Sequence, residues 1–295
     1  MIGRIDPQAV PKIRLATGQE IPCVGMGTFG SDHFNAEQIS AAVAGAIRCG
    51  YRLFDCAAVY GNEAEIGEVF QRALDEGIVR REELFITSKV WNNMHGRGDV
   101  LLSAAQTLKD LRLDYIDAYF VHWPFANYYA AWRNLEPLYE EGIIRAIGVS
   151  NFEPDRLIDL IAYNKVKPAV NQIETHLYCQ RTAEHEWEEK YGVAHMAYAP
   201  LGQGRTNEMF SEPIVVSLAE KYGKTPAQIL LRRTVQDGVA VIPKSSHPER
   251  IAENLGILDF ALTAEEMTAL QTLDKASPMI GNSEKPELVE MAMKW

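Results

Sequence analysis

Short hydrophobic runs alternate with longer amphipathic stretches along most of this chain. Eight of the runs have the length and the β-branched or aromatic content that is typical of buried strands. They are 23–28 (CVGMGT), 51–55 (YRLFD), 84–89 (LFITSK), 116–122 (IDAYFVH), 146–150 (AIGVS), 169–174 (AVNQIE), 194–199 (AHMAYA) and 238–243 (GVAVIP). Because the gaps between them can each hold a helix, we expect parallel pairing through right-handed crossovers.

A β-hairpin is predicted before these units. The apolar runs 13–16 and 21–27 flank a turn at 17–20, in which Gly18 lets the chain reverse. Eight β–α units without a linker or a low-complexity stretch favour a single (β/α)8 TIM barrel over residues 1–295. The hairpin would close the bottom of this barrel. An open, doubly wound sheet is the alternative.

Capping signals mark several of the predicted helix starts. Pro226 fits the first helical position of one of them. The pairs that have the spacing of a capping box are Asn35 with Gln38, Thr225 with Gln228, and Thr263 with Glu266.

The overall charge narrows the choice of partners. A net charge of −11 argues against nucleic acid as a ligand. No apolar run approaches the ~18 residues of a membrane helix, and the first ten residues lack the apolar core of a signal peptide.

The four cysteines, which show no CxxC and no zinc spacing, are Cys23, Cys49, Cys56 and Cys179. We interpret them as buried thiols, and expect a cytoplasmic location without a metal centre, membrane contact or obligate protein partner.

Residues 25–30 form a literal GxGxxG motif, which is a signature of dinucleotide-binding Rossmann units. Asp55 ends the next predicted strand at about the spacing that such a unit requires. However, residues 31–34 separate the third glycine from the predicted helix, so that the helix N-terminus could not face a pyrophosphate. We therefore interpret the motif as a strand end that lines a pocket.

Four chemically distinct side chains lie at or just after three of the early strands: Asp55, Tyr60, Lys89 and His122. In a barrel the carboxyl ends of the strands share one face, so these groups are expected to meet. A phenol titrates near pH ~10 in water; an adjacent ammonium should lower that pKa, and a carboxylate can hold the ammonium in place. The set suits proton donation to a carbonyl oxygen.

Three stretches of the sequence resemble the signatures of the aldo-keto reductase family. The first comprises 50–57 (GYRLFDCA), 60–63 (YGNE) and 66–67 (IG); the second is 147–152 (IGVSNF); the third is 242–245 (IPKS) with Arg250, Glu253 and Asn254. The segments VHWP (121–124) and AYAPLG (197–202) fit as well, and the similarity runs nearly end to end. The resemblance implies NADPH-dependent reduction of aldehydes and small ketones, including sugar-derived carbonyls, as in the bacterial diketogluconate and methylglyoxal reductases.

The resemblance also implies a role for each site residue. Tyr60 would be the general acid, Lys89 and Asp55 would tune its pKa, and His122 would orient the carbonyl. The cofactor residues would be Ser150, Asn151 and Gln172 at the nicotinamide carboxamide, Tyr198 on its ring, Leu201, and Lys244, Ser245, Arg250, Glu253 and Asn254 at the adenosine end. The cations Lys244 and Arg250, with Ser245, suit a 2′-phosphate, so NADPH is expected to bind more strongly than NADH.

The substrate pocket is expected to be aromatic, with Phe29, Trp91 and Trp123 as its candidate residues. Phe29 stands where many members of the family carry tryptophan, which predicts a roomier pocket. Met94, His95 and Trp295 could line it or could equally be packing residues. Two other functions remain open: an NADPH-binding sensor on the same barrel, and a Rossmann-type dehydrogenase built on residues 25–30.

Overall fold

A closed sheet of parallel strands forms the centre of the molecule. The structure, a computed structural model, describes residues 5–30, 36–96, 99–203, 205–292 and 294–295. Within these residues, eight strands pair in chain order: β3 Gly25–Gly27, β4 Leu53–Asp55, β5 Phe85–Val90, β6 Ala118–Val121, β7 Ile147–Ser150, β8 Val170–Glu174, β9 Ala194–Tyr198 and β10 Ala240–Val241. A parallel bridge between Val24 and Val241 joins the last strand to the first. The predicted barrel is confirmed, and the open sheet is excluded.

Most strands are shorter than their sequence patterns predicted. The residues after β10, for example, continue the extended chain but pair only through single bonds, such as the 3.3 Å bond from Gly27 N to Pro243 O. A residue belongs to a strand of the closed barrel only where it pairs in register with a neighbouring strand. The hydrophobic pattern of the sequence indicates which residues are buried, but not which residues are paired.

The predicted hairpin is present below the barrel. Strands β1 (Lys12–Arg14) and β2 (Glu20–Pro22) pair antiparallel, and Gly18 turns the chain with a φ of +88°. The buried side chains of Leu15 and Ile21 join a cluster that contains the first residues of several barrel strands. The hairpin therefore closes the amino-terminal end of the barrel.

Helices cover the outside of the barrel. They are α1 Ala36–Cys49, α2 Glu63–Asp75, α3 Asp99–Leu111, α4 Tyr128–Glu140, α5 Pro154–Ala162, α6 Thr182–Tyr191, α7 Thr206–Phe210, α8 Pro213–Tyr222, α9 Pro226–Gln236, α10 Pro248–Leu255, α11 Ala264–Gln271 and α12 Pro286–Ala292. The capping boxes predicted at Thr225 and Thr263 are both formed. The third one depends on Asn35, which lies outside the described residues.

Strand β8 shows how the alternation of side chains serves both faces of the barrel wall. Gln172 points inward, where its Nε2 donates to Asp55 Oδ1 at 2.7 Å. Its neighbour Asn171 points outward and donates to Glu188 of α6, also at 2.7 Å. Successive residues of one strand therefore connect the interior of the barrel and its outer helix layer.

No helix in the described residues has both the length and the hydrophobicity to cross a membrane. The four cysteines are free thiols; Cys23, Cys56 and Cys179 are buried, and Cys49 is partly exposed.

Candidate active site

The four residues predicted to meet do lie together at the carboxyl end of the barrel. Asp55 is the last residue of β4 and Lys89 is close to the end of β5. His122 directly follows β6, and Tyr60 ends a 3-10 turn that follows β4. Gly61, with a left-handed φ of 65°, ends this turn and sends the chain into α2.

Lys89 is the centre of the cluster. Its fully buried ammonium donates to Asp55 Oδ2 at 2.6 Å, to the backbone oxygen of Cys56 at 2.9 Å and to the Tyr60 hydroxyl at 3.2 Å. An ammonium has three donors, so all of them are used. Burial alone would lower the pKa of Lys89, but Asp55 and Tyr60 outweigh it and raise the pKa above its ordinary value. Lys89 is therefore a fixed positive charge beside the phenol.

Tyr60 differs from the expectation in one respect. Burial raises its pKa to about 12, although Lys89 acts in the predicted, lowering direction. The desolvation of a phenolate outweighs one neighbouring ammonium here, partly because the carboxylate of Asp55 opposes that ammonium. The prediction of a lowered pKa is therefore wrong. Tyr60 is fully protonated at neutral pH, which is the form that can donate a proton.

His122 is a neutral imidazole in this setting. Burial, together with the positive charge of Lys89, lowers its pKa well below the ordinary value. Its Nδ1 is buried and has no hydrogen-bond partner among the described residues. The ring contacts Trp91 edge-to-face, with centroids 4.9 Å apart, and lies 6.1 Å from the ring of Tyr60. A neutral imidazole in this position can offer one N–H to a carbonyl oxygen.

Asp55 is held by more partners than its position in the sequence indicated. Its Oδ1 accepts hydrogen bonds from Thr87 Oγ1 and from Gln172 Nε2, each at 2.7 Å. Thr87 precedes Lys89 by two positions in β5, so both side chains point into the barrel. This period of two was the signal that could have identified Thr87 from the sequence.

The residues assigned to the nicotinamide end form one connected polar group. Ser150 Oγ donates to the backbone oxygen of Gln172 at 2.8 Å, and Asn151 Nδ2 donates to Ser150 Oγ at 3.1 Å. Tyr198 donates from its hydroxyl to Asn151 Oδ1 at 2.7 Å. Asn151 has a φ of 63°, a strained conformation that fixes the direction of its side chain. Leu201 follows on the same side of the barrel and is partly buried between two core clusters.

The residues assigned to the adenosine end surround the start of α10. Burial lowers the pKa of Lys244, so that a bound anion would restabilise its charge. Ser245 Oγ accepts a hydrogen bond from the backbone of His247, the N-cap of α10. Arg250 is exposed in the first turns of this helix. A cation pair beside a helix N-terminus suits a phosphate group.

Glu253 and Asn254 complete this end of the site. Glu253 Oε1 accepts a 2.7 Å hydrogen bond from Thr225 Oγ1, the N-cap of α9. Asn254 is buried. Both residues lie on α10 next to the cations.

Aromatic rings form the walls above the four central residues. Phe29 is 44% exposed and packs edge-to-face on Tyr60, with centroids 5.1 Å apart. Trp295 stacks on Trp91 at 5.4 Å and also contacts Trp123 at 5.8 Å. The sequence left the place of Trp295 undecided, since nothing in its neighbours indicates this contact over two hundred residues. Met94 packs against the outer core instead, and His95 Nδ1 is bonded to the Phe125 carbonyl.

Comparison with known proteins agrees with this geometry. The sequence model described as "Aldo/keto reductase family" matches residues 23–275. The chain belongs to the aldo/keto reductase family. It is 41% identical to aldo-keto reductase family 1 member A1 of Bos taurus, over 89% of each protein. It is 39% identical to the NAD(P)H-dependent D-xylose reductase I,II of Candida tropicalis, over 90% of this chain and 93% of the relative.

Solved structures of aldo-keto reductases share the fold. A Bombyx mori aldo-keto reductase in complex with NADP is 35% identical, with a TM-score of 0.88 over 93% of this chain and 96% of the other. An aldo-keto reductase from a deep-sea metagenome is 37% identical, with a TM-score of 0.88 over 92% of this chain and 98% of the other. The predicted family, fold and reductase activity are thus confirmed, and the chain is an oxidoreductase.

The GxGxxG segment is part of the barrel wall. A Cβ added at Gly25 would lie 2.4 Å from Leu53 Cγ, and one at Gly27 would lie 3.1 Å from the Ile242 carbonyl oxygen. Both glycines therefore allow close packing of neighbouring strands. The alternative of a Rossmann-type dehydrogenase built on this motif is excluded.

Proposed function

We propose that Tyr60, Lys89, Asp55 and His122 carry out the carbonyl chemistry of this aldo-keto reductase, on aldehydes and small ketones that include sugar-derived carbonyls. The buried contact of Lys89 with both Tyr60 and Asp55 supports this assignment most strongly. A barrel that only bound a nucleotide would gain nothing from the burial of Asp55, Lys89 and His122 beside the Tyr60 phenol.

NADPH is the cofactor, and NADH serves less well. When bound, the reduced nicotinamide supplies a hydride to the carbonyl carbon. We assign Ser150, Asn151, Gln172 and Tyr198 to the nicotinamide end. Residues assigned to the adenosine 2′-phosphate and the adenine are Lys244, Ser245, Arg250, Glu253 and Asn254, with Leu201 between the two ends. The desolvated ammonium of Lys244 supports a phosphate at this position.

The proton in our proposal comes from Tyr60. Negative charge develops on the carbonyl oxygen as the carbon is reduced, and the Tyr60 O–H and a neutral His122 N–H stabilise it. An alkoxide is more basic than any phenolate, so the proton transfer is favourable even with the raised pKa of Tyr60. Lys89 then stabilises the phenolate, and Asp55 keeps Lys89 in position.

The substrate class follows from the walls of the pocket. Phe29, Trp91 and Trp123 give apolar surfaces above a polar floor, an arrangement that admits small carbonyl compounds. The D-xylose reductase of Candida tropicalis, at 39% identity, supports the inclusion of sugar aldehydes. Trp295 packs against the two tryptophans and belongs to the same walls.

We further propose that the chain acts as one domain in the cytoplasm, without an obligate partner. One closed barrel with its hairpin accounts for the described elements. The four cysteines are free thiols, which supports a reducing compartment, where cysteines need not pair.

The first test is the substitution Tyr60→Phe. NADPH consumption would be followed with glyceraldehyde, methylglyoxal, nitrobenzaldehyde, xylose and a diketo sugar acid. Loss of the only proposed proton donor should reduce kcat by about 10²–10⁴-fold, while NADPH binding measured by fluorescence stays within a factor of two or so. Tyr163→Phe, at a phenol that is 71% exposed, is the matched control. Full activity of Tyr60→Phe would overturn the assignment, and a wild type that binds NADPH but turns over no carbonyl would favour a sensor.

A further inference from the structure

A second cluster of ionisable side chains lies outside the barrel, where α6 packs against β9. His185 and Glu188 are one helical turn apart on α6, and His195 is near the start of β9. Glu188 and His195 are each 1% exposed, and the side chain of His185 is 19% exposed. Helix α6 is polar along most of its length, so these residues are not the apolar contacts that a barrel helix ordinarily buries.

Three buried atoms of this cluster face one another, and only one of the two contacts of Glu188 Oε2 is as short as a hydrogen bond. Glu188 Oε2 lies 2.8 Å from His195 Nδ1 and 3.9 Å from His185 Nδ1. All three atoms are buried, and none has an aligned hydrogen-bond partner among the described residues. The potential ligand atoms of the three side chains lie within 4.8 Å of one another. Buried polar atoms in such a state normally have a partner.

The contacts of Nε2, on the far side of each ring, bear on which ring nitrogen carries the proton, and therefore on what the facing Nδ1 atoms can bind. His185 Nε2 lies 3.0 Å from the backbone oxygen of Asp237, which can only accept, so this nitrogen carries the proton. His195 Nε2 lies 2.7 Å from Thr175 Oγ1, a hydroxyl that also lies 3.2 Å from the backbone oxygen of Ile173. When Thr175 donates to Ile173, His195 Nε2 is the donor to Thr175. In neutral rings with these tautomers both Nδ1 atoms present lone pairs.

An imidazole lone pair directed at a carboxylate is repelled by it unless a cation, either a proton or a metal ion, lies between them. Asn171 Nδ2 donates to Glu188 Oε1 at 2.7 Å and thereby fixes the carboxylate with Oε2 facing the rings. The arrangement has the features of a metal site: imidazole nitrogens and one carboxylate as ligands, each oriented by an outer hydrogen bond.

We propose that His185, Glu188 and His195 bind one divalent transition-metal ion, for which Zn²⁺ is the best match. Two imidazoles and one carboxylate are a ligand set that zinc accepts, with a fourth position left for water. Ligand distances of about 2.1 Å in a tetrahedron place the ligand atoms about 3.4 Å apart. The two distances from Glu188 Oε2, 2.8 Å to His195 and 3.9 Å to His185, lie on either side of that value.

A surface cleft gives access to the site. It has a volume of about 240 Å³, and its lining includes Thr175, His185, Glu189 and Asp237. Glu189 places a carboxylate oxygen 3.6 Å from His185 Nε2, which adds negative charge at the entrance. The cleft therefore connects His185 with solvent.

The ion would join α6 to the barrel wall behind the cofactor residues. His195 is paired in register with Asn171, and the next pair in register, Met196 with Gln172, belongs to the interior. The proposed ion therefore lies outside the catalytic cluster, and its expected effect is on stability rather than on the carbonyl chemistry.

Cobalt titration tests the proposal directly. EDTA-treated, tag-free protein would be titrated with Co²⁺ and read by its visible ligand-field absorption, and Zn²⁺ would then displace the cobalt. We expect one ion per chain, and a thermal midpoint that rises with Zn²⁺. His185→Gln and Glu188→Gln should each weaken binding by at least about tenfold. His185→Gln is the more conservative variant, since this side chain is partly exposed.

Glu186→Gln is the matched control, because this exposed carboxylate lies on the same helix away from the cluster. It should bind cobalt as the wild type does. NADPH binding verifies that every variant is folded. Absence of ligand-field bands in the wild type, or equal cobalt affinity in all variants, would overturn the proposal and leave the cluster as an ion pair between Glu188 and a protonated histidine.

Discussion

At the scale of single residues, the site depends on the competition between burial and charge at Tyr60. Burial disfavours the phenolate form of Tyr60, and the positive charge of Lys89 offsets part of this cost. The position of Lys89 depends in turn on Asp55, at 2.6 Å. Removal of the Lys89 ammonium should therefore act first on the pKa of Tyr60, and only secondarily on contacts with the substrate.

Lys89→Met should move the pH dependence of alcohol oxidation to higher pH. In that direction Tyr60 must be a phenolate to accept a proton, so kcat/KM rises with pH up to the pKa of Tyr60. Lys89 lowers this pKa, and its loss therefore raises it. Reduction should also slow by about 10²-fold or more, because the phenolate product is no longer stabilised. The measurement is kcat/KM for oxidation against pH.

The control for Lys89→Met is the double variant with Asp55→Asn. The single variant leaves a buried carboxylate without its cation, which costs about 3–5 kcal/mol of stability. The double variant removes this penalty. Its profile should also be displaced to higher pH, but by less than that of the single variant, because Asp55, which raises the pKa of Tyr60, is lost as well. A profile identical to that of the wild type would contradict the role of Lys89.

Residue chemistry was the part of the site that the sequence predicted best. Asp55, Tyr60, Lys89 and His122 were identified because each lies at or just beyond a strand end, and the barrel topology brings such ends together. The raised pKa of Tyr60 was not predictable, since the extent of burial depends on the three-dimensional packing around the ring. The contact of Trp295 with Trp91 was missed for the same reason.

At the scale of elements, the close approach of neighbouring strands decides where glycine is required. A Cβ at Gly148 in β7 would lie 2.4 Å from the Phe120 ring and 2.8 Å from the Val170 carbonyl oxygen. One of these contacts is with backbone, which cannot rotate away. The strand pattern predicted β7 but could not indicate this contact, because it involves both neighbouring strands.

Gly148→Ala should therefore destabilise the protein by about 1–3 kcal/mol. The free energy of unfolding would be measured by urea denaturation. The matched control is Gly45→Ala in α1, where an added Cβ has no atom within 4 Å. That change should stabilise the protein by about 0.5–1 kcal/mol, since alanine is the better helix former. Equal unfolding midpoints for the two variants would contradict the packing argument.

At the scale of the whole molecule, cofactor binding and folding are linked. The proposed cofactor residues come from β7 through α10, so a bound NADPH would hold together the second half of the barrel. A ligand at a hundredfold excess over its Kd stabilises the folded state by about 2.7 kcal/mol. For a chain of this size that corresponds to a rise in Tm of roughly 5 °C.

Arg250→Ala should remove most of the Tm increase produced by NADPH and leave that produced by NADH unchanged. The reason is that Arg250 is assigned to the 2′-phosphate, which NADH lacks. Thermal melts with each cofactor at fixed concentration provide the measurement. Arg48→Ala, at an exposed arginine of α1, is the control. Equal losses for the two cofactors would count against the phosphate assignment.

The three hydrogen bonds of Lys89 have a further chemical consequence. Aldehydes form imines with free amines and hemithioacetals with thiols. The substrates of a carbonyl reductase are therefore reagents that can modify the enzyme itself. In the proposed site, Lys89 lies close to where the carbonyl would bind, but Lys89 is protonated and uses all its donors, and so has no lone pair to attack the carbonyl. The neighbouring thiol, Cys56, is buried, and its pKa is raised, chiefly by that burial. The packing that buries Tyr60 and Lys89 thus also makes the interior of the proposed site unreactive toward carbonyl substrates.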